Sequence, residues 1–178
     1  MATENLKSTP VTNLDATPPV RTLTGKGAGG RLNFVDATVT ATTAMETGST
    51  YAMVRIPSEA IVKRVWACLD TAVTTFTADI GVYYGTGKDV PTDLQGDVID
   101  ADLFASAVAF ASIVVPTQYT HEAAASAFTV ADMFKPLWDA AGVTADPKCG
   151  LDIVLTATAS VDGAPIIYLA VEYVLPGA

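Results

Sequence analysis

The chain has one histidine, two cysteines, few aromatic residues and about half as many cations as acids. Each shortage excludes something. A catalytic or metal site needs several convergent groups, and His121, in the loop-like stretch QYTHEA, has no second histidine to share a metal with. A serine triad built on it would need a nucleophile elbow, and no GxSxG occurs. His121 is read as a surface or turn residue, and neither a catalytic site nor a cofactor is expected. Cys68 and Cys149 lie outside any CxxC or Cys/His pattern. They imply no zinc site or disulfide framework, and are read as half-buried thiols in a reducing compartment. The sequence leaves a pairing between them open. The start, MATENLKSTP, lacks a basic region followed by an apolar one, and no apolar run is long enough to span a bilayer. The formal net charge of −9 repels phosphate backbones and anionic lipid, so neither nucleic acid nor membrane is an expected partner.

Three features suggest chemistry and fail on spacing or context. Gly81 to Lys88 (GVYYGTGK) resembles a phosphate loop, but five residues rather than four separate Gly81 from Gly87. Asp89 also stands where a magnesium-binding hydroxyl is required, so the stretch is read as turns. Asp97, Asp100 and Asp102 crowd GDVIDAD without the residue ladder of a calcium loop, and are read as a solvated acidic loop. Trp66 and Trp138 are read as core anchors rather than ligand platforms.

What is abundant is alanine, valine and threonine, in a chain that is 50% hydrophobic and long enough for one domain. Small and β-branched residues suit pleated surfaces better than helical bundles. Asn33–Thr43, Thr50–Ile56, Ala60–Asp70 and Thr75–Tyr84 read as successive strands separated by turn signals. Gly81, inside the fourth, predicts a bulge or a close backbone approach. Asp100–Ser112 is expected to be a short helix leading into a strand. Thr129–Gly142 has helical spacing through Met133, Leu137, Trp138 and Ala141, with Gly142 as its stop. Thr129 or Asp132 is the candidate cap, and Pro136 either lies in the first turn or splits the segment. In Leu151–Ala159 apolar residues alternate, and Asp162-Gly163 predicts a hairpin into Ile166–Leu175. That last strand has two apolar faces. Ile166, Tyr168 and Ala170 on the second face are explained by a central strand covered on both sides, or by a subunit interface.

Residues 1–31 differ from the rest. Pro10, Pro18, Pro19 and the run TGKGAGG favour extended backbone. The segment carries Lys7, Arg21, Lys26 and Arg31 against Glu4 and Asp15, a net +2 that leaves −11 for residues 32–178. It is read as an extended arm that orders on a neighbour, with Lys7, Val11, Leu14, Arg21, Leu23, Lys26 and Arg31 as candidate partner-binding residues; a tail without a role is the alternative. The expected architecture is all-β. It is a mainly antiparallel two-sheet sandwich, jelly-roll-like, with one or two short helices on residues 32–178.

From Val54 to Tyr173 the chain resembles small virion proteins of tailed bacteriophages. The resemblance rests on an ordered series: RIPSEAIVKRV (Arg55–Val65), TADIGVYYG (Thr77–Gly85), DVIDADLFASAV (Asp97–Val108), KPLWDAAG (Lys135–Gly142) and the strand LDIVLTATA with the turn after it. It covers about two thirds of the chain, and none of its segments is a biochemical motif in itself. It implies a structural role at the phage head, as a decoration or cement protein on the major capsid protein, commonly trimeric. Such a protein is made in the host cytoplasm and ends in the virion. A tail, neck or fibre component with receptor or carbohydrate binding is the alternative.

Overall fold

Period-two alternation of apolar residues builds the core. The computed structural model describes residues 5–18, 32–42, 45–73, 76–110, 114–120, 128–160 and 163–175. Among the described residues nine strands form in chain order: β1 (Asn5–Lys7), β2 (Leu32–Thr40), β3 (Thr50–Pro57), β4 (Ile61–Leu69), β5 (Thr77–Tyr84), β6 (Val98–Ala109), β7 (Thr117–Gln118), β8 (Gly150–Ala157) and β9 (Ile166–Val174). The α-helices among the same residues are α1 (Thr9–Asp15) and α2 (Leu137–Ala140). The strands make two sheets, ordered β1-β3-β8-β5-β6 and β2-β9-β4-β7. Every pairing is antiparallel except the three-residue parallel contact of β1 with β3.

The sheets face each other across one apolar core. Ile80 and Val82 of β5 and Leu151, Ile153 and Leu155 of β8 are buried from one side. Val65, Ala67 and Leu69 of β4 and Ile167, Leu169 and Val171 of β9 are buried from the other. The few aromatics concentrate together: Phe110 lies 5.8 Å from Phe76 and 5.2 Å from Tyr119, centre to centre. These tilted contacts add to what burial alone provides.

The glycine within β5 is a close approach. A Cβ on Gly81 would lie 2.2 Å from the backbone of Ala101 and Asp100 on β6, where the β5–β6 register shifts repeatedly. The absence of a side chain lets the two strands cross at a bulge.

Several expectations are corrected. Asp100–Ser112 was expected to begin as a helix, but Val98–Ala109 is a continuous edge strand. Alanine and serine leave its period ambiguous, and pairing with β5 decides the outcome. The acids Asp100 and Asp102 therefore sit on a strand and not in a loop. The hairpin expected at Asp162-Gly163 is not one, because β8 and β9 lie in different sheets. The connection instead passes from one layer to the other; Asp162 itself lies outside the described residues. Pro136 splits the predicted helix into a 3-10 turn (Asp132–Phe134) and the single turn α2. Asp132 accepts hydrogen bonds from the Thr129 amide and hydroxyl at 2.7 and 2.6 Å, and Gly142 closes α2 at φ +78°. Leu137 and Trp138 donate their amides to Ala60 and Ser58, pinning this segment to the turn between β3 and β4.

The first half of the predicted arm is structured. Residues 5–16 form β1 and α1 on the body of the chain. Ser8 supplies the N-cap that the reading missed: its hydroxyl accepts from the Val11 amide and donates to the Met53 carbonyl. Pro10 falls in the first helical turn, where its missing N–H costs nothing.

Candidate interaction surface

Strand parity places two kinds of residue on the outer face of the β2-β9-β4 sheet. With Ala37 and Val39 inward on β2, Leu32, Phe34 and Asp36 point outward, and Leu32 and Phe34 are exposed. With Val65, Ala67 and Leu69 inward on β4, Arg64, Trp66 and Cys68 point outward. Register then aligns Phe34, Glu172 and Arg64 in one row, Asp36, Ala170 and Trp66 in the next, and Thr38, Tyr168 and Cys68 in a third.

The strands flanking β9 are two spacings apart, about 9.6 Å. The rings of Phe34 and Trp66 are nevertheless only 6.4 Å apart between centres. Both must lean over β9, which accounts for Ala170 being only 1% exposed although its side chain points out of the core. Arg64 lies 5.9 Å from the Trp66 ring centre and 3.6 Å from the Glu172 carboxylate. The result is an aromatic and aliphatic centre with charged groups around it.

The predicted interface residues thus divide. Ile166 is 38% exposed and Tyr168 is half-buried, so both present area on this face, whereas Ala170 is covered. β9 is a central strand, with its second face partly covered by its own neighbours. Trp66, read as a core anchor, is a half-buried residue of this outer face, and Trp138 packs half-buried against the core. The parity of Val65, Ala67 and Leu69 carried the signal for Trp66; size and hydrophobicity alone misplaced it.

Among the predicted arm residues, Val11 is 0% exposed and seated in its own chain. Free solvent-facing contact with a partner is closed to it. Lys7 is exposed on β1 and bonds Asp15 at 2.7 Å. Leu14 is half-buried and lines a cleft of about 600 Å³ with Arg55, Asp89, Asp146 and Lys148. The acids of that cleft serve the fold: Asp89 accepts from the Gly150 amide, and Asp146 from Ser58 and the Lys148 amide. Arg21, Leu23, Lys26 and Arg31 lie outside the described residues, as does His121.

Beneath α1 sits a buried charge cluster. Arg55 makes a two-point contact with Asp152 at 2.6 and 2.9 Å and a further contact with Asp15 at 2.6 Å. The side chains of Arg55 and Asp152 are only 6% and 4% exposed. Burial lowers the Arg55 pKa, but Asp152 and Asp15 more than offset it and hold the guanidinium above its ordinary value. Burial pushes the Asp152 carboxyl up more than Arg55 pulls it down, while the forked geometry is that of a charged pair. The glycines of the rejected phosphate loop belong here. A Cβ on Gly85 or Gly87 would lie 2.6–2.7 Å from Arg55 side-chain nitrogens or Asp89, and one on Gly150 2.6 Å from the Arg55 Cδ. They make room for Arg55.

Cys68 and Cys149 are both buried free thiols, and burial raises both. Among the described residues no group of three or more His, Cys, Asp or Glu is placed to hold a metal, and no helix is long and apolar enough to cross a membrane.

Burial, the larger influence, and Asp102 hold the Asp100 carboxyl above its ordinary range despite the Asp102 amide; burial likewise raises Asp79. A raised folded-state pKa means that the folded chain binds the proton more tightly than the unfolded chain. This contribution favours folding in acid and is lost as pH rises through the folded pKa. Asp100→Asn is therefore expected to raise the thermal midpoint at pH 7, with the gain shrinking toward about pH 4. A gain unchanged between those pH values would contradict the assignment.

No protein-family model and no curated protein matches the chain. Solved structures do. A chain in the capsid of Ralstonia phage GP4 aligns over 97% of this chain and 99% of its own length, with a TM-score of 0.60 at 14% identity. The two share a fold. A chain in the cyanophage Pam1 capsid asymmetric unit aligns over 90% of this chain and 96% of its own, with a TM-score of 0.50 at 20% identity. At these identities the likeness concerns architecture, and function has to be argued separately.

Proposed function

We propose that this chain is a structural protein of a tailed-phage particle, bound to the capsid shell as a decoration or cement protein. The single observation that carries the reading is the nearly end-to-end match of its sandwich with a chain of the Ralstonia phage GP4 capsid. Both chains are covered almost completely, so the likeness runs through both sheets of the sandwich. The series of sequence segments that resembles small virion proteins supports the same role. So does the acidic body, since a net charge of −11 on residues 32–178 repels a phosphate backbone.

In this reading copies of the chain meet one another through the outer face of the β2-β9-β4 sheet, and a trimer is the expected assembly. The face has the anatomy of a subunit contact: aromatic and aliphatic residues at its centre, with Asp36, Arg64 and Glu172 around them. Its charges are of both signs, so opposite charges on two copies can be set against each other. Phe34→Glu with Ile166→Glu places two carboxylates on exposed positions of that centre. Light scattering is expected to show the wild type as an oligomer and the double variant as a monomer with an unchanged circular dichroism spectrum. A wild type that is monomeric at high concentration, or a double variant that assembles normally, would remove this face from the interface.

Attachment to the shell is assigned to the second half of the N-terminal segment, through Arg21, Leu23, Lys26 and Arg31, because Val11 is already engaged within the chain. Basic side chains meeting acidic groups on a neighbour make binding weaker in high salt. The experiment is binding of the full chain to particles stripped of it, compared with a variant whose Arg21, Lys26 and Arg31 are replaced by Ser. Loss of affinity, and of its salt dependence, is expected in the variant. Equal binding by both chains would dismiss the assignment.

A further inference from the structure

The N-terminal elements are attached to the body differently from the central strands of the sandwich. Strands β5, β8 and β9 each pair along both sides over most of their length. Among the described residues β1 pairs over Asn5–Lys7, against Thr50–Ala52 at the edge of β3. Beyond that contact the segment is fastened at several points. The Ser8 amide and hydroxyl donate to the carbonyls of Ala52 and Met53. Val11 is fully buried. Asp15, at the far end of α1, meets Arg55.

The two halves of that last fastening are unequal. Arg55 is fixed from below by the forked contact with Asp152 and confined by the glycines at 85, 87 and 150, so it stays in place whether or not α1 is seated. Asp15 is the movable half. One of its oxygens meets Arg55, and the other accepts from Lys7 and Thr86. Lys7 belongs to β1, so this carboxylate ties the start of the segment to its end and both to the body.

We propose that residues 5–16 form a strap that opens from β3 as a unit while the sandwich stays folded, with Asp15 on Arg55 as its clasp. The physical basis is that local opening follows the elements with the fewest cooperative contacts. The strap is joined at a sheet edge by one short strand pairing, a few polar contacts and the side chains of Leu6 and Val11. Opening would uncover the edge of β3 over Thr50–Ala52, a row of backbone groups able to pair with another extended segment.

The test is native-state hydrogen exchange on the full chain, comparing the wild type with Asp15→Asn. Asp15 lies at the surface end of the cluster, and the amide keeps its shape while removing its charge. In the wild type, amides of residues 6–15 are expected to exchange through an opening that leaves β5 and β8 protected. In the variant their exchange is expected to accelerate about tenfold or more, the effect of losing a charge-assisted hydrogen bond, with β5 and β8 unchanged. Exchange of residues 6–15 at the wild-type rate in the variant would show that Asp15 is no clasp. Acceleration shared equally by β5 and β8 would show that the segment opens only when the whole domain unfolds. Either result overturns the proposal, and neither depends on the virion role.

Discussion

Replacing Gly81 with alanine is expected to destabilise the fold by about 3 kcal/mol or more, at the upper end of the usual cost of overpacking. The added methyl would stand 2.2 Å from the Ala101 carbonyl and the Asp100 oxygen. Those atoms are backbone, not the movable end of a side chain. Relief requires β5 and β6 to part, and β6 is an edge strand paired with β5. Gly142→Ala provides the comparison. That glycine has φ +78° but open space around it, so the cost is conformational only, about 1–2 kcal/mol. Urea midpoints should therefore fall much further for position 81 than for position 142. Similar shifts at both would show that the two strands do not approach as closely as described.

Removing the Arg55 guanidinium is the other change with a large expected effect. Arg55→Met keeps much of the side-chain volume inside the glycine cradle but leaves Asp152 buried without its cationic partner. Breaking such a pair from one side costs about 3–5 kcal/mol, most of it the penalty of the uncompensated charge. Arg55→Lys should recover only part, since an ammonium cannot reproduce the two-point contact at 2.6 and 2.9 Å. The double change Arg55→Met with Asp152→Leu should be less destabilised than Arg55→Met alone, because the deeply buried carboxylate of Asp152 is gone and Asp15 keeps Lys7. Equilibrium unfolding of the wild type, Arg55→Met, Asp152→Leu and the double variant closes the cycle. A double variant no better than the single one would mean that the pair contributes shape and not charge balance.

These two sites mark how far the residues alone reach. The strand pattern from Thr50 to Tyr84 is legible because Val65, Ala67 and Leu69, and likewise Ala78, Ile80 and Val82, alternate cleanly and are buried as that alternation requires. Gly81 is legible as a close approach because a glycine within such a strand has few other uses. Where the reading failed, long-range partners decided the result. Asp100–Ala109 has no clear period, and β5 makes it a strand. β8 and β9 look like a hairpin, yet each has two other strands to pair with, and those lie in opposite sheets. Gly85 and Gly87 look like a failed phosphate loop until Arg55, far away in sequence, is placed between them. The N-terminal segment appeared structureless because its fastenings, Ala52, Met53 and Arg55, belong to β3 and have no local signature.

The proposed interface was half legible for a related reason. Ile166 and Tyr168 stand on the second apolar face of one strand and can be picked out from that strand alone. Phe34 and Trp66 join them only once the register of β2 and β4 against β9 is known. That register also buries Ala170, which the single strand would have offered as equally accessible.

Under the proposed virion role, quantitative mass spectrometry of purified phage particles produced from the genome that carries this gene tests the central claim most directly. A shell-bound structural protein is expected in purified particles at a copy number comparable with that of the main shell protein, and to remain with emptied heads after the tails are detached. Absence from the particles, or a few copies that leave with the tails, would contradict the account.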